Sequence, residues 1–252
     1  MRRLSGRRNL SPFASPPPRD QIRWRELALA AARQREDPIA EGVHLGNLGL
    51  AYADLGDPRR AIEFHEQNLA IVREIGSRSH EIRALVNMGT AYTDLHEPLR
   101  AIEFYEQCLL IAREVGDHSA EGSALGGLGY ANQSLGEVRS SIKFYEQWLA
   151  IAREVGNRYD EGKVLGNLGS AYASLGEPRR AIEFYEQWLT IAREIGDRRG
   201  EATASWNLGL ALEKEGDLLR AAELMQVLVD YEREIGHPDT EKHAAEVADL
   251  RT

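Results

Sequence analysis

The chain has 252 residues, a formal net charge of −9 and a single cysteine. The first twenty residues hold five Arg and one Asp, so the remainder carries −13, and a body this acidic repels a phosphate backbone and argues against nucleic-acid binding. Cys108 has no partner for an internal disulfide, which suits a reducing, cytoplasmic setting, and no apolar run approaches the roughly 18 residues that span a bilayer.

Residues 1–19 read as a tail. Arg2, Arg3, Arg7 and Arg8 have no apolar stretch behind them, so they do not make a secretory signal. Pro12, Pro16, Pro17 and Pro18 lack the amide donor a helix interior needs, and the segment is expected to be disordered or polyproline-like.

After the tail the chain repeats itself every forty residues. Leu45-Gly46-Asn47-Leu48-Gly49 returns as Leu85-Val86-Asn87-Met88-Gly89, then from Leu125, from Leu165 and, with drift, from Ser205. A fixed period of this length marks stacked units that bury their apolar faces only against their neighbours. The expected fold is therefore all-α, a solenoid of antiparallel helix pairs over residues 20–252.

The array opens with a half unit, 20–37. Ile22, Trp24, Glu26, Leu29 and Arg33 align with Ile62, Phe64, Glu66, Leu69 and Arg73, which makes a second helix without its first. Its face is expected to expose Trp24 and Leu29, and this predicts weak self-association through the N-terminal half repeat. The start in mid-unit also favours an arm split from a larger protein.

Five units follow, at about 38–76, 77–116, 117–156, 157–196 and 197–236. In the second helix of the first, Asp57 before Pro58 sets up a capped start; Glu97-Pro98 and Glu177-Pro178 repeat the signal with a weaker cap. Ile62, His65, Leu69, Val72 and Ile75 form a helical stripe, widened by Phe64 and Ile71. Gly76 ends the helix and recurs at 116, 156, 196 and 236, and Ser77, Asp117, Asn157 and Asp197 are expected to cap the helix after each. That next helix carries Leu85, Met88, Tyr92 and Leu95. Gly89 has a counterpart in every unit, and because mid-helix glycine costs about 1 kcal/mol, five of them imply a close helix approach. The last unit decays at Glu215, Ala222 and Glu232, and a helix over 238–250 reads as a cap with a polar outer face.

These residues resemble the tetratricopeptide repeat (TPR) family. Leu45, Leu48-Gly49, Tyr52, Ala61 and His65 or Tyr105 stand at the offsets of its signature. The unit is longer than the usual one of about 34 residues. Its length, its Asn-Leu-Gly and its Gly196-Asp197-Arg198 hinge are similar to the Pins/LGN adaptors and to TPR arms of bacterial signalling ATPases. The resemblance implies a non-catalytic scaffold that binds a peptide or protein segment on the concave face lined by the first helix of each unit. It implies, as the alternative, a regulatory or sensor arm of a nucleotide-binding signalling ATPase. The family's carboxylate clamp is not expected, because its Lys and Asn positions fall on Gly46 and Leu50.

The inward residues implied for the second unit are Arg83, Val86, Asn87, Thr90, Thr93 and Asp94. One row across the units reads Asn47, Asn87, Gly127, Asn167, Asn207. An asparagine amide donates and accepts at once, which suits a peptide main chain; bonding to the adjacent helical turn is the competing role. The third unit breaks the row at Gly127, where Tyr130 and Gln133 are expected to wall a shallow pocket. Arg83 and Lys163 put positive charge on one rim, with Asp54 and Asp94 opposite. Trp148 and Trp188 fit packing between helices better than an exposed anchor.

Nothing reads as catalytic. The seven histidines lack metal-ligand spacing with a second cluster, the glycines do not form a phosphate loop, and Cys108 reads as a buried, inert thiol. No cofactor or metal is expected.

Overall fold

The computed structural model describes residues 18–251, so the expected tail over 1–17 lies outside the described residues. Those residues form helices, with no strand among them: α1 (Pro18–Gln34), α2 (Pro38–Asp54), α3 (Pro58–Glu74), α4 (Arg78–Asp94), α5 (Pro98–Val115), α6 (His118–Ser134), α7 (Val138–Glu154), α8 (Arg158–Ser174), α9 (Pro178–Ile195), α10 (Arg198–Glu215), α11 (Leu218–Ile235) and α12 (Thr240–Asp249). α1 thus opens at Pro18, inside the segment read as tail, since proline is tolerated in a first helical turn. None of the described helices is long and apolar enough to cross a membrane.

The chain divides into two compact units, one ending at Leu95 and one beginning at His96. In the first, α1 to α4 each pack on the next, and α2 also meets α4. In the second, α5 to α12 each pack on the next, and α8 meets α10. Contacts are local in sequence, as the period predicts.

The turns follow the sequence signals closely. Glycines 56, 76, 116, 136, 156, 176, 196, 216 and 236 all take positive φ, which only glycine adopts without strain. His96 occupies one such turn with φ 58°. Asp57, Asp117, Asn157 and Asp197 cap their helices by accepting from the backbone N–H three residues on. Ser77 does not: its hydroxyl lies 2.7 Å from His80 Nδ1 instead. Glu97 and Glu177 make no side-chain cap either, since the longer side chain does not fold back onto the first turn.

Leu45, Leu48, Leu85 and Met88 are fully buried in the first unit, as are Leu125, Leu128, Leu165, Leu168 and Leu208 in the second. Against expectation Leu29 is buried, because α1 turns Ile22, Leu29 and Ala32 into the interior where it packs on α2. Trp24 and Leu27 are the exposed large apolar side chains among the described residues of α1. The mid-helix glycines have their packing reason. A Cβ on Gly49, Gly129 or Gly169 would run into the ring of His65, Tyr145 or Tyr185 respectively, and one on Gly209 would run into Met225.

An arginine clamp closes the joint between successive pairs. Arg73 Nε donates to Glu81 at 2.9 Å, and Arg33–Glu41, Arg113–Glu121, Arg153–Glu161 and Arg193–Glu201 repeat it. Arg33, Arg113 and Arg153 also donate to Gln67, Gln147 and Gln187 on the following second helix, so each arginine ties three helices. At the far end Glu232 is buried, and His243 of α12 approaches it at 2.8 Å. The decay of the repeat at Glu232 is thus a contact that seats the last helix.

Candidate functional site

The first helices α2, α6 and α8 each carry two glycines one turn apart, and they act as a window. Gly42 and Gly46 on α2 face Asn68 of α3: a Cβ on Gly42 would lie 3.3 Å from Asn68 Oδ1, and one on Gly46 3.0 Å from its Nδ2. Gly122 and Gly126 on α6 face Trp148 of α7 in the same way, with a hypothetical Cβ at 2.7 and 3.0 Å. Gly162 and Gly166 on α8 face Trp188 of α9, at 3.0 and 2.8 Å. The missing side chains let a residue of the second helix reach the groove between neighbouring first helices. Where the window positions carry bulk, as at Ala202 and Trp206, the residue at the matching place on the second helix is the smaller Leu228.

In the first unit this groove contains a hollow of about 60 Å³ between α2, α3 and α4. It brings together three of the sequence-predicted residues: Asn47, Asn87 and Arg83. It adds two that the sequence reading missed, Asn68 and His80. In the second unit the matching groove between α8 and α10 holds about 280 Å³, floored by Trp188 and edged by Tyr159, Lys163 and Arg199. Lys163 Nζ also lies 5.6 Å from the Trp148 ring centroid, within cation–π range. Trp148 is buried and Trp188 half-buried, so both pack between helices, and Trp188 still offers an edge to the groove.

Asn167 and Asn207 lie half-buried on α8 and α10. Among the described residues, the side-chain amides of Asn47, Asn87, Asn167 and Asn207 have no hydrogen-bond partner within the chain. Asn132 differs: its amide donates to Leu128 O at 2.8 Å, in its own helix. Tyr130 is exposed on α6. Gln133 is engaged internally, accepting from Tyr145 Oη and donating to Ser170 Oγ, each at 3.4 Å. The space that the missing side chain of Gly127 leaves is filled by the Tyr105 ring of α5.

Titratable groups near the core are held for structure. Burial brings the His65 imidazole down to about 4. Burial, with Asp117 nearby, raises the Cys108 thiol to about 11, which leaves it unreactive at neutral pH. Burial alone would push the Glu161 carboxyl up, but donation from Arg153 and Arg158 outweighs it and holds the group below its ordinary range. A wider hollow of about 520 Å³ beside α8 and α9 has its arginine, Arg158, already bound to Glu161 and Glu194. No group of His, Cys, Asp and Glu among the described residues is arranged to hold a metal ion.

The tetratricopeptide repeat model matches residues 39–114, 80–154, 122–194 and 160–230. The chain belongs to the tetratricopeptide repeat family. The TPR fold is shared with the solved structure of BtubC (BKLC) from P. vanneervenii, at 19% identity over 93% of each chain and a TM-score of 0.75. It is shared with the STAND protein PH0952 from Pyrococcus horikoshii, which carries a tetratricopeptide repeat sensor, at 18% identity and a TM-score of 0.78; the match covers 88% of this chain and 35% of that one. It is shared too with a putative kinesin light chain of nearly identical TPR-like repeats from Podosopora anserina, at 21% identity and a TM-score of 0.64, over 77% of this chain and 95% of that one. No curated protein matches the chain.

Proposed function

We propose that this TPR chain is a non-catalytic scaffold that holds an extended peptide or protein segment along the concave face formed by the first helices. The observation that carries the reading is the set of unpaired amides at Asn47, Asn87, Asn167 and Asn207. An amide held in a groove without an internal partner is free to donate to and accept from a main chain. Groove helices lie about 8–10 Å apart and an extended chain rises about 3.3 Å per residue, so successive asparagines meet a strand-like ligand every third residue or more sparsely. Such contacts grip the main chain and leave selectivity to the groove floor. Arg83, Lys163 and Tyr130 are placed to contribute charge and an aromatic face at its edge. A cytoplasmic setting goes with this reading, given the single thiol.

The test is capture of a partner from the source cell, followed by the double variant Asn87→Ala, Asn167→Ala. A loss of about 1–3 kcal/mol in affinity is expected, one net hydrogen bond or slightly more per site, with the fold intact. A double variant that binds its partner like the wild type would place the contact elsewhere. The fold shared with the PH0952 sensor supports a second reading, a sensor arm of a larger signalling protein, and an ATPase among the captured partners would favour it.

A further inference from the structure

α1 and α12 are half units of opposite kind. α1 is a second helix without the first helix of its own unit, and α12 is a first helix with no second helix after it among the described residues. The forty-residue register runs through both, so Arg25 corresponds to His65 of α3 and Asp249 to Gly49 of α2. The faces that a complete unit covers are therefore open at both ends. On α12 Ala245 and Ala248 are exposed, where Leu45 and Leu48 are fully buried. On α1 Trp24 is 62% exposed, where its counterpart Phe64 stacks on Tyr52 of its own first helix with ring centroids 5.2 Å apart.

Two features knit a complete pair, and each has a complement at the ends. The first is size. The second-helix residue at the window is large where the window is open and smaller where it is filled. Glycine windows admit Asn68, Trp148 or Trp188, whereas Ile82 and Val86 stand in register with Cys108. On α12 the window positions hold two long side chains, Lys242 and Glu246, and the matching residue of α1 is Ala28, the smallest of the series. The second feature is the side chain seated on the mid-helix glycine, such as Tyr145 on Gly129 or Tyr185 on Gly169. At the ends both members differ, and with opposite charge: α12 has Asp249 in place of the glycine and α1 has Arg25 in place of the ring. Arg25 is half-buried, donates to the Asn47 carbonyl at 3.2 Å and meets no carboxylate among the described residues. A guanidinium has five N–H donors, so several remain for a carboxylate.

We propose that α12 of one copy and α1 of a second copy pack as the two helices of a sixth unit, the second copy's Arg25 lying on Asp249 and its Ala28 passing beneath Lys242 and Glu246. The occupant of the open face of α1 is thus another copy of this chain. Trp24, Ala245 and Ala248 supply the apolar surface, and the ion pair and the size match set which ends meet. The two surfaces differ, so the contact is heterologous and association continues past a dimer. A single helix pair makes a small interface, with an affinity on the order of 10–100 µM.

The test is sedimentation equilibrium of the full chain from about 5 to about 300 µM, a range that brackets that affinity. The average mass is expected to rise with concentration beyond twice that of the monomer. Arg25→Glu and Asp249→Arg each set like charges against one another and are expected to weaken association about tenfold or more. An equimolar mixture of the two variants is expected to recover it, since the reversed ends meet each other and the unchanged ends do the same. Ala28→Trp adds apolar surface to α1 but leaves no room for Lys242 and Glu246, so it is expected to weaken association as well. That variant decides the matter if Asp249→Arg loosens α12. A monomer at every concentration would give the face of α1 to another occupant and overturn the proposal. So would a mass that stops at the dimer, or association that Ala28→Trp leaves unchanged or strengthens.

Discussion

Gly169→Ala puts the packing logic to a test in which the sign of the effect is diagnostic. In an exposed helix alanine is favoured over glycine by about 1 kcal/mol. Here a Cβ on Gly169 would stand 2.5 Å from Tyr185 Cε1 and 2.7 Å from Cδ1. Ordinary carbon contacts lie at about 3.5–4.0 Å, so the ring must retreat by about 1 Å. Tyr185 is 4% exposed, and its surroundings leave it little room to do so. Overpacking of this kind costs about 1–3 kcal/mol, occasionally more. The net expectation is a loss of up to about 2 kcal/mol despite the better helix former. Tyr185→Ala removes the ring at a cost of about 3–5 kcal/mol, and in that background Gly169→Ala is expected to stabilise by up to about 1 kcal/mol. Urea unfolding of the four proteins at low temperature closes the cycle, with an expected coupling of about 1–3 kcal/mol. If Gly169→Ala raises the midpoint in the wild-type background, or lowers it equally in both, the glycines are not there to admit the rings.

Leu168→Ala, at a fully buried position, is expected to cost about 2–5 kcal/mol, while Asn167→Ala beside it changes the melting midpoint far less; equal losses would make Asn167 structural. His65 is taken from 6.5 to about 4 by burial, so the unfolded chain binds a proton that the fold does not. Stability is therefore full above pH 6.5 and falls towards pH 4, by up to about 3 kcal/mol from this group, and His65→Tyr, the residue of later units, is expected to remove that dependence in unfolding titrations across the window. His96 sits at φ 58° where other turns use glycine, so His96→Gly is expected to raise stability by about 1 kcal/mol in chemical denaturation, and no gain would mean the turn carries no strain.

The sequence disclosed the helices because each level of it repeated the same instruction. Asp57-Pro58 starts α3, Gly76 stops it, and Ile62, Leu69 and Val72 mark its buried stripe, all visible in the chain alone. Arg73 and Glu81 could be paired from their recurrence. The misreadings share a cause: each depended on which of two neighbours a side chain would choose. Ser77 had a free N–H to cap but took the His80 ring. Leu29 looked stranded on a half unit until α2 covered it. Gly127 looked like a gap because the ring that fills it comes from Tyr105, twenty-two residues earlier. Asn68 was missed for the same reason. Its meaning lies in Gly42 and Gly46 across the pair, and only the geometry shows that two glycines on one helix open a path for a residue on the next. A periodicity search sees small residues one turn apart; it does not see what they let through.

The central claim is that the groove asparagines hold a partner's main chain. The most direct measurement records the side-chain amide resonances of the labelled chain before and after a captured partner is added. Asn87 and Asn167 are expected to shift and gain protection from solvent exchange, Asn47 and Asn207 with them. Asn132, already bonded to Leu128 O, stays where it was. A partner that binds while all four groove amides remain unmoved would contradict the claim.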